Sequence, residues 1–232
     1  MKRMILAAVL AALATAPASA ATLYVGHGID GRDLGAAQAL PVDVCLVTDG
    51  TPSKLFSDVP FKAFAKIDAD LSAGRYDVEV RLATTGDNVA CDGPVAIAAS
   101  IFLGFGENAT AFAHLNEQGV PTLTKFTNDV RELGSSQTRI YARHAASFGD
   151  VNVYLRSHHK KVLIRNLENP DQEGADLPAG TWQVAIYPSG SWHKPAFWKS
   201  YPLAAGTAYF AYAVGSPAKG SFDVLVQPIE LN

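Results

Sequence analysis

The segment DLSAGRYDVEV, from Asp70 to Val80, returns in related form as DLPAGTWQVAI, from Asp176 to Ile186. Two further pairs of segments recur in the same order: LYVGH (23–27) with IYARH (140–144), and VDVCL (42–46) with VNVYL (151–155). Three blocks that recur in one order indicate an internal duplication. Duplicated modules commonly serve binding and scaffolding. We therefore expect the protein to act by modular binding or scaffolding rather than by catalysis.

The repeated segments carry the pattern of half-buried strands. Val78, Val80 and Leu82 alternate with charged residues, and Val184 and Ile186 continue the same period in the second copy. Short glycine-containing turns separate many such runs, and no long amphipathic helix is present. We therefore predict an all-β protein of two tandem antiparallel β-sandwich modules of the Ig/transthyretin-like kind.

Two largely apolar runs, Ile97–Phe105 and Thr207–Val214, are typical of central strands that are covered on both faces. The polar stretch after Asn128 marks the boundary between the copies. We assign residues 1–20 to a signal peptide, 21–130 to the first module, 131–137 to a linker and 138–232 to the second module. A linker this short cannot separate the modules far, and we expect limited contact between them.

The first residues read as an export signal. Lys2 and Arg3 precede an apolar run from Ile5 to Ala14, and Ala18-Ser19-Ala20 forms an A-x-A cleavage site. We predict cleavage after Ala20 and a periplasmic or secreted location. No later stretch approaches the roughly 18 apolar residues of a membrane span, so no transmembrane segment is expected after the signal is removed.

The charge balance excludes some classes of partner. The chain has 19 Lys and Arg against 22 Asp and Glu, and removal of the leader takes away two of the basic residues. This mildly acidic and evenly spread balance indicates neither a nucleic-acid surface nor a polybasic membrane patch.

Cys45 and Cys91 are the only cysteines, and both lie in the first copy. In an oxidising compartment an isolated pair forms a disulfide most often, which is our prediction. Two free thiols are the main alternative. A metal site would need further ligands that the neighbouring sequence does not offer.

The histidines offer little chemistry. His27 and His144 end the first strand of each copy, where an imidazole could act as a ligand or base, or could fix a turn by a hydrogen bond. Neither has a chelating partner nearby in the sequence, so we assign both a structural role. The basic run from His158 to Lys161 is interpreted as a solvated hairpin tip, with contact to an anionic surface polymer as the alternative.

Aromatic residues are concentrated in the second copy, at Trp182, Tyr187, Trp192, Phe197, Trp198 and Tyr201. Trp182 matches Tyr76 of the first copy and is assigned to the core. Trp192, His193 and Trp198 lie in or beside a loop and are our candidates for ligand contact, since flat aromatic faces suit sugars and protein surfaces. Packing against the other module is the alternative for both tryptophans.

These motifs resemble the tandem domain-of-unknown-function 4397 family, whose modules read V-R-V-V-H-A-S-P, then V-D-V-Y, then L-P-A-G-x-Y-x-V-x-V. The second copy matches at 141–146, 151–155 and 177–184, and the first at 41–46 and 71–80. The S-P-D-A-P that would follow His27 is replaced by a longer glycine-containing loop, Ile29–Pro41. The resemblance implies an exported β-rich module without a catalytic signature.

No motif for catalysis or for a cofactor has the context it requires. Gly104–Ala109 spells a loose dinucleotide fingerprint before a strand rather than a helix, and Ser216–Lys219 spells S-x-x-K without its companion motifs. We expect no cofactor and no metal. The prediction is an exported, non-catalytic binding or structural protein of the cell envelope, whose role is adhesion or contact with a surface polysaccharide or protein. The alternative is a hydrolase, whose site would gather His, Asp, Glu or Ser from both modules at their interface.

Overall fold

The computed structural model of the chain describes residues 20–38, 40–67, 71–83, 91–158 and 160–231. The predicted signal peptide, apart from Ala20, lies outside these residues, as do 84–90 of the loop before Cys91 and His159 of the basic run. Within the described ranges the only helices are two short 3-10 helices, Gly31–Leu34 and Pro217–Lys219. Neither is long and apolar enough to cross a membrane.

The first module, as the structure shows it, contains eight strands. They are β1 (Thr22–His27), β2 (Val42–Thr48), β3 (Thr51–Val59), β4 (Phe64–Lys66), β5 (Gly74–Leu82), β6 (Val95–Leu103), β7 (Asn108–Leu115) and β8 (Pro121–Thr127). They form two four-stranded sheets, an inner sheet in the order β4-β1-β7-β8 and an outer sheet in the order β3-β2-β5-β6.

The second module repeats this arrangement strand for strand. Its strands are β9 (Gln137–Ala146), β10 (Val151–Arg156), β11 (Lys161–Leu167), β12 (Gln172–Pro178), β13 (Gly180–Pro188), β14 (Phe197–Leu203), β15 (Thr207–Gly215) and β16 (Asp223–Glu230). The inner sheet has the order β12-β9-β15-β16 and the outer sheet the order β11-β10-β13-β14. The predicted duplication and the all-β sandwich modules are confirmed. One detail differs, because β1 pairs with β7, and β9 with β15, in parallel.

The duplication extends to side chains that close the turns. The Tyr76 hydroxyl donates to the Ser72 carbonyl at 2.7 Å, and the Trp182 indole donates to the Pro178 carbonyl at 3.0 Å. Each ring thus packs on the core, while its polar group holds the chain just before its strand by a hydrogen bond. This contact explains why the A-G-x-aromatic block recurs in both copies.

A β-bulge recurs in the same way. The Asp58 amide donates to Asp43 Oδ1, and the Asn166 amide donates to Asn152 Oδ1, both at 3.0 Å. Asp58 and Asn166 have φ values of 53° and 50°, a left-handed conformation that Asp and Asn tolerate better than most residues. The polar residue in V-D-V and V-N-V therefore stabilises the bulge in the neighbouring strand.

Each module has its own apolar core between its two sheets, built on Val44 and Val80 in the first and on Val153 and Trp182 in the second. The prediction that Thr207–Val214 is a central strand is confirmed, since β15 lies between β9 and β16. The same prediction for Ile97–Phe105 is wrong: β6 is the edge strand of its sheet. Its solvent face carries Ala96, Ala98 and Phe102, all of them exposed, so the apolar character of this run does not reflect cover on both faces.

The inner sheets of the two modules pack against each other, so the expectation of limited contact is wrong. A third apolar cluster crosses the boundary, with Phe112 and Phe126 from the first module and Phe210, Tyr212 and Val214 from the second. The Phe112 and Tyr212 rings are stacked with centroids 4.2 Å apart. β7 is accordingly buried along almost its whole length, on both of its faces.

Arg143 lies at the centre of this interface and is 1% exposed. Its guanidinium donates to the Tyr212 hydroxyl, to Asn128 Oδ1 at 2.9 Å and to the Thr127 carbonyl at 2.9 Å, and its Nε donates to Gln172 Oε1 at 2.9 Å. It also lies over the Phe210 and Phe126 rings, at 4.3 and 4.9 Å from their centroids. A buried cation is tolerated here because neutral acceptors and aromatic faces replace its water.

Polar contacts surround the apolar cluster. The Asn169 side-chain amide donates to the carbonyls of Leu115 and Ala146, at 2.9 and 2.7 Å, and so joins both modules. Lys62 forms an ion pair with Asp223 across the same boundary. The two modules thus form one packed unit.

Candidate functional site

The outward surface of the second module's outer sheet carries most of the predicted ligand-contact residues. Strand register places Leu163, Tyr154, Ala185 and Trp198 directly opposite one another on β11, β10, β13 and β14; we call them the apolar row. Their neighbours along each strand point into the core, as the buried Ile164, Leu155, Val184 and Ile186 show. Trp198 is 61% exposed, which is far more than a packing role requires.

Trp192 lies on the same surface. Its ring centroid is 5.1 Å from that of Tyr187, which points outward from β13, and the Arg165 guanidinium of β11 lies 5.9 Å from the Trp192 ring. The β13–β14 loop therefore places Trp192 against the outward surface of the sheet, and the Trp192 side chain remains 46% exposed. We name this surface, with Tyr154, Tyr187, Trp192 and Trp198, the aromatic face. His193, the third predicted contact residue, is exposed in the same loop.

A polar row runs beside the apolar row. Register places Lys161, Arg156, Gln183 and Ser200 opposite one another, two residues further along each strand and thus about 7 Å away. Arg156, Ser157, His158, Thr181, Gln183 and Ser200 line a depression of about 270 Å³ at this end of the sheet. His158 and Lys160 of the basic run lie in the short connection between β10 and β11, where the hairpin tip is predicted, and His158 borders the depression.

The equivalent surface of the first module has a different chemistry. Register puts Lys54, Cys45, Glu79 and Ala98 at the positions of the apolar row. Cys45 is bonded to Cys91, with the two Cα atoms 6.0 Å apart, so the predicted disulfide is confirmed. The Cys91 amide also donates to Asp43 Oδ2 at 3.0 Å. The β5–β6 connection is therefore fastened over the site where the second module exposes Tyr154.

His27 and His144 make equivalent contacts at the ends of β1 and β9. The Nε2 of His27 lies 3.1 Å from the Leu40 carbonyl, and that of His144 lies 3.0 Å from the Gly149 carbonyl. Since a carbonyl only accepts, each Nε2 carries the proton. Burial lowers the pKa of both imidazoles, so both are neutral and each holds the loop that follows its strand.

A third histidine, which sequence reasoning did not single out, is buried at the interface. His114 of β7 donates from Nδ1 to the Leu115 carbonyl at 3.0 Å, and its Nε2 accepts from the Thr124 hydroxyl at 2.8 Å. Burial, with a smaller effect from nearby His144, lowers the pKa of His114 to about 4. Only its place on a strand covered on both faces could have indicated this environment.

We predict that acidification weakens the fold through His114. Because its pKa is lower in the folded state than in the unfolded chain, the unfolded chain takes up the proton first. The contribution of neutral His114 to the free energy of unfolding is complete above about pH 6.5 and is lost as the pH falls towards 4. The total loss amounts to about 3 kcal/mol. Urea unfolding at several pH values measures this loss. His114→Gln should flatten the profile, whereas His193→Gln, at an exposed position, should not; equal slopes in both variants would contradict the prediction.

Among the described residues, the module interface is packed at its centre, where the hydrolase alternative would place a cleft. Its centre is filled by Phe112, Tyr212 and Arg143, all almost fully buried. The two apolar cavities nearest His144 and His27 measure about 20 and 30 Å³, room for one or two water molecules. Within the described ranges, no three His, Cys, Asp or Glu side chains are placed to hold a metal ion.

Comparisons with known proteins give distant likenesses and one family. Among solved structures, the chain resembles the Bacillus anthracis TIE protein at 10% sequence identity and a TM-score of 0.27. The match covers 84% of this chain and 34% of the TIE protein, so this chain spans about a third of the length of the TIE protein. It also resembles candidate cell adhesion proteins from Bacteroides ovatus (8% identity, TM-score 0.29, 94% and 99% covered) and Bacteroides uniformis (7%, 0.29, 91% and 97%). No curated protein matches it. The model of the family described as "Domain of unknown function (DUF4397)" matches residues 35–154, which is more than half of the chain, and the chain therefore belongs to this family.

Proposed function

We propose that the protein is an exported, non-catalytic binding protein of the cell envelope that contacts a surface polysaccharide through its aromatic face. The observation that carries the proposal is the exposure of Trp198 and Trp192 on one sheet surface, together with Tyr154 and Tyr187. Exposing such large apolar faces is unfavourable by roughly 25 cal/mol per Å², unless a ligand covers them. The rigid sheet beneath holds the rings in place.

The arrangement of the face suits a sugar chain better than a protein. Trp198 and Tyr154 are two strand spacings apart, about 10 Å, with the small Ala185 between them. The polar row follows the apolar row along its whole width, so sugar rings on the aromatic faces would have hydroxyl partners beside them. Gln183 and Ser200 supply both donors and acceptors there.

The disulfide supports the proposed export and the periplasmic or secreted location. Disulfides persist in oxidising compartments such as the periplasm and the cell exterior. Cys45–Cys91 fits the predicted signal peptide with cleavage after Ala20.

Replacing both Trp192 and Trp198 by alanine is expected to weaken binding to envelope polysaccharide at least about tenfold, since buried aromatic contacts dominate recognition energies. Co-sedimentation with an insoluble envelope polysaccharide fraction measures this, while thermal melting should remain unchanged. The matched control is Phe102→Ala with Phe105→Ala, which removes rings that are 63% and 79% exposed on the first module. This control should bind like the wild type.

Treatment of the fraction separates the possible ligands. Protease digestion should leave binding intact, and periodate oxidation, which cleaves sugar diols, should abolish it. Binding that is lost only after protease digestion would identify a protein partner and overturn the polysaccharide proposal. A lower melting temperature of the tryptophan variant with unchanged binding would assign both rings to packing.

A further inference from the structure

We infer that the polysaccharide is anionic, and that its acidic groups are held by Arg156 in the depression beside Trp198, with Lys161 and Arg165 adding attraction. This inference rests on the proposed function and specifies the chemical class of the ligand.

The first argument is the charge of the aromatic face. The outward positions of its four strands carry three cations and no carboxylate: Asn152, Tyr154, Arg156, Lys161, Leu163, Arg165, Thr181, Gln183, Ala185, Tyr187, Trp198, Ser200 and Pro202. Two acidic residues directly flank these strands, Asp150 before β10 and Glu168 after β11, and both lie at the end of the sheet opposite to Arg156. A net positive surface on a chain of negative net charge favours an anionic ligand.

The comparison between the modules strengthens this argument. On β5 of the first module the outward residues Arg75, Asp77, Glu79 and Arg81 neutralise one another through the Arg75–Asp77 and Arg81–Glu79 ion pairs. The matching positions on β13 are Thr181, Gln183, Ala185 and Tyr187, without any charge. In the second module, β13 therefore offers no acidic partner to Arg156 of the neighbouring strand β10.

Arg156 is placed to bind an acid group of a stacked sugar. Strand register places Arg156 opposite Gln183. Arg156 is also the next outward residue of β10 after Tyr154, so it borders both the apolar row and the depression. No ion pair of Arg156 or Arg165 occurs among the described residues. A guanidinium binds a carboxylate or a sulfate through two parallel hydrogen bonds, whereas Gln183 and Ser200 suit the neighbouring hydroxyls.

The test compares polymers that differ in charge. Polygalacturonate and its fully methyl-esterified form share one backbone, and dextran sulfate and dextran form a second pair. We expect the wild-type protein to bind each anionic polymer at least about tenfold more tightly than its neutral counterpart, and to lose this preference at high salt. Arg156→Ala should remove most of the preference, and Arg75→Ala, on the first module, should retain it. Isothermal titration or affinity electrophoresis gives the constants.

Each result decides between the two proposals. Equal binding to charged and neutral polymers, still dependent on Trp192 and Trp198, would overturn the anionic inference and leave the proposed function standing. Failure to bind either anionic polymer, while tryptophan-dependent binding to the envelope polysaccharide persists, would do the same. Binding to phosphatidylglycerol vesicles but to none of the polymers would overturn both, because the charge would then serve a membrane surface.

Discussion

Replacing Arg143 by alanine is expected to lower the free energy of unfolding by about 4 kcal/mol. The change removes a side chain that is almost fully buried and leaves a cavity among Phe126, Phe210 and Tyr212. It also removes one donor each from Asn128 Oδ1 and the Thr127 carbonyl, which keep contacts to Thr110 and Gln172, and it takes from Gln172 Oε1 the hydrogen bond donated by Arg143 Nε. Unsatisfied buried polar groups add their desolvation penalty to the lost packing, so the effect exceeds that of an ordinary truncation.

Two further variants show what causes the loss. Arg143→Met fills most of the cavity without supplying donors and should lie between wild type and Arg143→Ala. Arg75→Ala removes an exposed arginine and should change stability by less than about 0.5 kcal/mol. Urea unfolding measures all three. If Arg143→Ala lost no more than Arg75→Ala, the inter-module contact would not contribute to stability.

The repeats predicted the architecture well because the signals they carry are local. Alternating residues set which face of a strand is buried, and the A-G-x-aromatic and V-D-V blocks mark the turn and the bulge that fix its neighbours. Three blocks in one order therefore predicted the same strand order twice, and it is found twice. The parallel pairing of β1 and β7 could not be predicted from these local signals, since strand direction depends on which distant strands become neighbours.

The interface was missed although its signals were present. In the first pair of repeated blocks, Gly26 of the first module occupies the position that Arg143 has in the second. A Cβ atom at Gly26 would lie 2.4 Å from Phe112 Cδ2, so glycine makes room for the ring that stacks on Tyr212. An apolar run such as β15 shows that both faces are covered, but not by what. Linker length limits how far modules separate and says nothing about how well they fit.

The candidate site was predicted in part for a related reason. Trp192, His193 and Trp198 were predicted because aromatic residues cluster beside a loop of the second copy, and such a cluster is a local signal in the sequence. Tyr154 and the polar row need the register of four strands, which brings together residues as far as 44 positions apart, such as Arg156 and Ser200. No pattern along the chain shows such a row.

Removing the disulfide through the double substitution Cys45→Ala and Cys91→Ala is expected to cost about 4 kcal/mol. The bond joins residues 46 positions apart, and closing a loop of this length restricts the unfolded chain by that amount in the chain-entropy model. The double variant is preferable to a single one because it leaves no free thiol. Wild-type protein in reductant should show the same midpoint of urea unfolding.

The effect should be confined to stability. Cys45 and Cys91 lie in the first module, whereas the aromatic face belongs to the second, whose β10 has Tyr154 in place of Cys45 and no bond to lose. The cysteine-free variant, kept well below its unfolding midpoint, should therefore bind envelope polysaccharide like the wild type. A loss below about 1 kcal/mol would show that the unfolded chain is already compact in this region, so that the bond restricts it little. A loss of binding in the folded variant would show that the first module sets the geometry of the aromatic face through the interface at Arg143.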